Sequence, residues 1–136
     1  MSSQFDETIY QKMRDGIELF NQEQFWECHE ALEHIWLEDS HDPIRLIYWA
    51  VIQVAATNIH VRDSNVTGAI GLLAKAKNKF TRIKEAHLEN KFLDDVYKWQ
   101  ELKSLVFSIK ENEEDLSLYQ KLFVFRFPPY PQNKGL

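Results

Sequence analysis

The chain has 136 residues, 44% of them hydrophobic and 27% charged, with a formal net charge of −5. That length suits one domain with a core of its own, and the ordinary composition excludes bulk disorder. A single cysteine, Cys28, excludes an internal disulfide, and no uncharged apolar run approaches the roughly 18 residues of a membrane span.

Phe5, Ile9, Met13, Ile17 and Phe20 step along one face and predict a first helix over Phe5–Phe20. Asn21–Gln24 is a turn, and Phe25–Glu38 the second helix. Asp42-Pro43 is a helix start, with the aspartate as N-cap and the proline at the first helical position. The third helix, Ile44–Arg62, is apolar almost all round and is therefore expected at the centre. Asp63–Asn65 turns the chain into a fourth helix, Val66–Glu85, with Ala69, Leu73, Ala76, Phe80 and Ile83 inward. A fifth helix is expected over Leu93–Lys110 and a short sixth over Leu116–Phe123. The tail Phe125–Pro131 holds three of the four prolines and reads as extended, its aromatics covering an open side of the bundle. The expected fold is all-α: a compact single-domain bundle of five or six helices over 1–136, with C-terminal helices and tail over 92–136.

Charge is unevenly spread. Residues 1–42 carry eleven acids and two bases, net −9, whereas residues 43–136 carry ten acids and fourteen bases, net +4. The bases Lys75, Lys77, Lys79, Arg82 and Lys84 cluster on the fourth helix. They read as a solvated face, or as a surface for an acidic partner or a second copy. The N-terminus lacks the basic and apolar regions of a signal peptide, so with one cysteine the expected location is cytoplasmic. A pI of about 5.5 and the lack of a recognised motif argue against nucleic acid. No membrane partner is expected either.

The informative stretch is the second helix. At about 100° per residue, Phe25, Cys28, Leu32, Ile35 and Trp36 share the apolar face. His29 falls inside that face and Glu33 on its edge, an i, i+4 pair, while Glu27, Glu30, His34 and Glu38 turn away. On the third helix Trp49, Gln53, Ala56 and His60 form one stripe. If the two helices run antiparallel, His29 lies level with Gln53 and Glu33 with Trp49. His60 then falls about 10 Å further along, near Asn21 and Phe25.

Three chemistries fit this cluster. The first is a closed, buried network in which His29, Glu33 and Gln53 satisfy one another and the indoles of Trp26, Trp36 and Trp49, fixing helix register. The second is a divalent metal on His29 and Glu33, whose His-Glu-Ala-Leu-Glu spacing is that of a His-Glu-x-x-His zinc helix with the last histidine replaced. The third helix offers no carboxylate to complete such a site. The third chemistry is a metal-free general base at His29 backed by Glu33, with Glu30 a further catalytic candidate. Cys28 diverges from His29 and reads as a core thiol. A pocket opening onto His29 favours an enzyme; a closed core favours an interaction module or a self-associating protein.

The runs Gly16-Ile-Glu-Leu-Phe-Asn21 and Phe25-Trp-Glu-Cys-His-Glu-Ala-Leu-Glu33, with Trp36, resemble the first block of the domain of unknown function 309 family. Ile52-Gln-Val-Ala-Ala-Thr-Asn-Ile-His60 and Gly68-Ala-Ile-Gly-Leu-Leu73 are similar to its second block. The resemblance spans about residues 10–85 and implies a small, all-helical, cytosolic protein of bacterial or plastid type without an assigned activity. It marks Glu27, His29, Glu30, Glu33, Trp36, Gln53 and His60 as the matching polar and aromatic positions. This chain has Glu23 where the family usually has glycine, which predicts a turn without a left-handed residue there. It has Cys28 where the family has alanine. The expected function is a non-enzymatic interaction module with a buried His/Glu/Gln network, binding a protein partner or its own copy. Gln53, His60, Trp36, Trp49 and Glu27 are its binding candidates. The alternative is a small metal-dependent or acid/base enzyme, hydrolase-like, centred on His29 and Glu33.

Overall fold

A computed structural model describes residues 4–38 and 43–132. The expected Asp42 cap and most of the turn before it lie outside the described residues. Those described form eight α-helices, one 3-10 turn and no strand: α1 Glu7–Lys12, α2 Arg14–Asn21, α3 Phe25–Glu38, α4 Arg45–Arg62, α5 Val66–Glu85, α6 Lys91–Tyr97, α7 Trp99–Ser108, a 3-10 turn Leu116–Tyr119, and α8 Gln120–Phe123. No described helix is long and apolar enough to cross a membrane.

The count corrects the expected five or six. The first predicted helix divides at Met13, a fully buried residue whose ψ of −6° tilts α1 off α2 while the i to i−4 bonding continues through it. The fifth divides at Lys98, which is left-handed (φ 50°, ψ 48°) and reorients the chain so that both Tyr97 and Trp99 enter the core. Asp94 mends the break, accepting from the Lys98 amide through its backbone oxygen and from the Gln100 amide through Oδ1. The last element begins as a 3-10 turn.

Three longer helices end on a left-handed residue that is not glycine: Glu23 after α2, Ser64 after α4 and His87 after α5. In each, the amide of that residue and the one after it bond back to carbonyls of the last turn, as Glu23 and Gln24 do to Phe20 and Leu19. Glu23, with φ 62°, therefore overturns the expectation that losing the family glycine removes the left-handed turn. The turn is kept, and Glu23 bears about 1 kcal/mol of strain for it.

α4 is the centre. Eleven of its eighteen residues are buried, and α3 and α5 both pack on it, with α2 behind α3. Gly16 on α2 allows the close approach to α3, since a Cβ there would lie 2.5 Å from the Leu32 side chain. Far along the chain, residues 125–132 return without helix. Phe125, Phe127 and Tyr130 are buried, Phe127 against Phe20 and Tyr97. Asn21 bonds both backbone groups of Phe127 (2.9 and 3.0 Å), and Arg126 pairs with Glu23 at 2.8 Å.

Tyr130 stacks on Tyr10 (ring centres 4.1 Å apart), donates to the Tyr10 backbone oxygen and meets the Tyr97 hydroxyl. Burial, reinforced by Tyr130 for Tyr97, pushes both phenols well above the ordinary tyrosine range. Such groups contribute stability that is whole below the unfolded value, near 10, and is lost as pH rises beyond it toward the folded value. Denaturant melts are therefore expected to hold steady from about pH 7 to 9 and to shift to lower midpoints above about pH 10. A midpoint unchanged to about pH 11 contradicts the buried tyrosine cluster.

Candidate functional site

Because α3 and α5 flank α4, a pocket of about 200 Å³ opens between them. Its floor is Trp49, Ile52, Gln53 and Ala56 of α4. Its walls are His29, Glu33 and Trp36 of α3, and Leu72 and Lys75 of α5. Trp36 and Trp49 meet edge to face at 5.5 Å, which sets the end of α3 beside the start of α4.

The floor is locked by Gln53. Its amide pairs at both ends when Nε2 donates to the Lys75 backbone oxygen (2.9 Å) and Oε1 accepts from the Trp49 indole N–H (3.1 Å). One buried side chain thus ties α4 to α5 and fixes the Trp49 ring. Cations cover the indole faces: the Arg45 guanidinium lies 3.5 Å from the centre of Trp36, and Lys79 Nζ lies 4.1 Å from that of Trp49. Burial, then Arg82 and Lys75, pushes the Lys79 ammonium below the usual lysine value.

His29 corrects the closed-network reading. Its side chain is 26% exposed, that of Glu33 52%, and His29 Nε2 stands 3.6 Å from Glu33 Oε2, an ion-pair distance too long for a hydrogen bond. Exposed Trp26 stacks parallel on the imidazole, 5.3 Å away. His29 Nδ1 is buried without a hydrogen-bond partner, as is Trp36 Nε1. Gln53 bonds to neither His29 nor Glu33, so the three share a pocket without forming one network.

The remaining candidates fall elsewhere. Glu27 and Glu30 are exposed on α3 and do not line the pocket. His60 packs its ring on Gly68, where a Cβ would lie 2.5 Å from Nδ1, and Nδ1 meets Asn65 Nδ2 at 3.1 Å. It holds the α4–α5 turn and does not line the pocket. Cys28 is fully buried and burial pushes its thiol up to about 12, so it supplies no thiolate near neutral pH. Among the described residues no three His, Cys, Asp or Glu side chains gather as metal ligands. In the sequence Lys79 is only one base of the fourth helix's basic cluster, and Arg45 is not singled out. The available signal was the i, i+4, i+7 spacing of Lys75, Lys79 and Arg82 beside Leu72.

Residues 13–72, which supply every pocket residue except Lys75, match the family described as Domain of unknown function (DUF309). An uncharacterised protein of Bacillus subtilis (strain 168), YpuF, is 31% identical over 101 residues. That match covers 74% of this chain and 55% of the relative, so the chain aligns with about half of the relative's length. No solved structure matches.

The two polar residues at the centre should differ in their weight. Gln53→Leu leaves the Trp49 N–H without an acceptor and is expected to cost about 1–3 kcal/mol in denaturant melts. His29→Ala loses only a half-exposed ion pair and a ring contact, and is expected to cost under about 1 kcal/mol. The reverse order would restore the closed network around His29.

Proposed function

We propose, with residues 13–72 taken as a domain of the DUF309 family, that the protein is a non-enzymatic binding module whose ligand seats in the pocket between α3 and α5. The observation that carries this reading is the locked floor. Gln53 holds Trp49 in place before any ligand arrives, and preorganised aromatic walls with a few fixed polar groups are what a binding site needs. The volume of about 200 Å³ suits one ring or one side chain rather than a large substrate.

An opening at His29 was the sequence's mark of an enzyme, and the pocket is open. Its interior favours binding. A carboxylate-backed general base presents one imidazole nitrogen to the carboxylate and the other to the substrate. In His29 the nitrogen near Glu33 is the outward one, and Nδ1 is sealed in protein without a partner. No relay runs from Glu33 through the ring to a ligand. Cys28, the neighbour of His29 in the chain, is buried and neutral and offers no nucleophile.

Benzyl alcohol is a suitable small neutral probe. Titrated to millimolar levels, it is expected to shift the indole N–H signals of Trp36 and Trp49 in ¹H–¹⁵N spectra. Ala56→Phe, which fills the pocket floor, is expected to abolish those shifts without unfolding the protein. Unmoved indole signals up to about 10 mM, an affinity too weak for a binding site, would defeat the reading.

A further inference from the structure

The pocket separates charge by wall. α3 brings Glu33, and α5 brings Lys75, with Lys79 and Arg82 one and two turns on. Lys79 Nζ and the Arg82 guanidinium carbon lie 4.1 and 6.0 Å from the centre of the Trp49 ring. Among the described residues none of the three α5 cations makes an ion pair, although ion pairs form on α3 and α6 and at the tail. Lys79 is the telling one. It is only 6% exposed, and its contacts are neutral: the Trp49 face and Asn78 Oδ1 at 3.3 Å. A lysine so deeply buried is ordinarily matched by a carboxylate. Here none is supplied by the described chain, and two further cations crowd it.

We infer that Lys75, Lys79 and Arg82, set around Trp49, form the anion-binding end of the pocket, and that the ligand is a small ring compound bearing a carboxylate or a phosphate. This rests on the binding-module reading. A dry cavity of roughly 150 Å³ accepts benzene, so about 200 Å³ between Trp36, Trp49, Ile52 and Leu72 accommodates the ring. Exposed Lys75 lines the pocket and reaches the anion directly, while Lys79 and exposed Arg82 add their charge from around Trp49. Glu33 on the facing wall repels the same anion, which fixes the ligand's direction across the groove.

Three probes of similar size test this: benzoate, phenyl phosphate and neutral benzamide, each titrated against the full chain and followed by the Trp36 and Trp49 indole signals. At least one anion is expected to bind tenfold or more tightly than benzamide, and the tighter of the two identifies a planar or a tetrahedral group. In the Lys75→Gln, Arg82→Gln double variant that preference is expected to fall at least fivefold, with benzamide unchanged. Lys79→Met removes a buried charge and keeps the stem. It is expected to raise the melting temperature of the free protein while weakening the anion. Equal binding of all three probes overturns the anion site and leaves the pocket standing. Silence from all three overturns the pocket and the anion site together. A Lys79→Met protein that melts lower and binds the anion as before makes Lys79 a prop for Trp49, which also overturns the inference.

Discussion

The structure depends on covering one helix. α4 is apolar around most of its circumference, so leaving any side bare costs hydrophobic burial along its full length. α3 and α5 each cover a side, and the remaining elements close what is left, with α8 also touching α4. Two cylinders laid on a third meet it along lines and leave a furrow between them. The stripe of α4 beneath that furrow is where Trp49, Ile52, Gln53 and Ala56 fall, and Trp49 and Gln53 bring polar groups to it. The pocket is the residue of a packing problem, and Gln53 turns it into a defined shape by joining floor to wall.

The helical class, the central place of α4 and the meeting of His29, Glu33, Trp36, Trp49 and Gln53 were legible because they follow from periodicity, which a single sequence records directly. What was illegible follows from backbone events without a side-chain signature. Lys98 and Glu23 are left-handed, yet neither is the glycine or asparagine that would announce it. The glycine rule failed at Glu23 for a local reason: its side chain gains Arg126 and its carbonyl accepts from Arg62 at 3.3 Å, contacts a glycine could make only in part. The openness of the pocket was illegible too. A helical wheel places His29 on the inner face but cannot say that a pocket opens between it and Leu72 and Lys75 of α5. Lys79 was hidden by its neighbours, since a buried lysine within a basic run looks like any other member of the run.

His29 and Lys79 lie on facing sides of the same furrow and illustrate opposite uses of burial. The imidazole edge that meets Glu33 is wet, so the pair is weakened by solvent, while the other ring nitrogen is dry and idle. Lys79 is buried, and its ammonium is met by the π face of Trp49 and by Asn78 Oδ1, with no carboxylate paired to it among the described residues. Groups held in this unbalanced way contribute little to the stability of the free protein. Functional sites commonly accept that cost, and here it falls on α3 at His29 and on α5 at Lys79.

The tail clasp has a bearing on how the chain acquires its shape. Asn21 and Phe127 are 106 positions apart, and Tyr10 and Tyr130 are 120 apart. Such contacts close long loops, and their entropy must be surrendered before they return any stabilisation. During synthesis Tyr10 and Phe20 emerge long before Tyr130 and Phe127, the tail rings that pack on them. The α3–α4–α5 layer can assemble from near neighbours in that interval. The aromatic face of α1 and α2 is completed in stages: Phe20 gains Phe25 from α3, Tyr10 gains Phe92 and Tyr97 from α6, and Phe127 and Tyr130 of the tail close both.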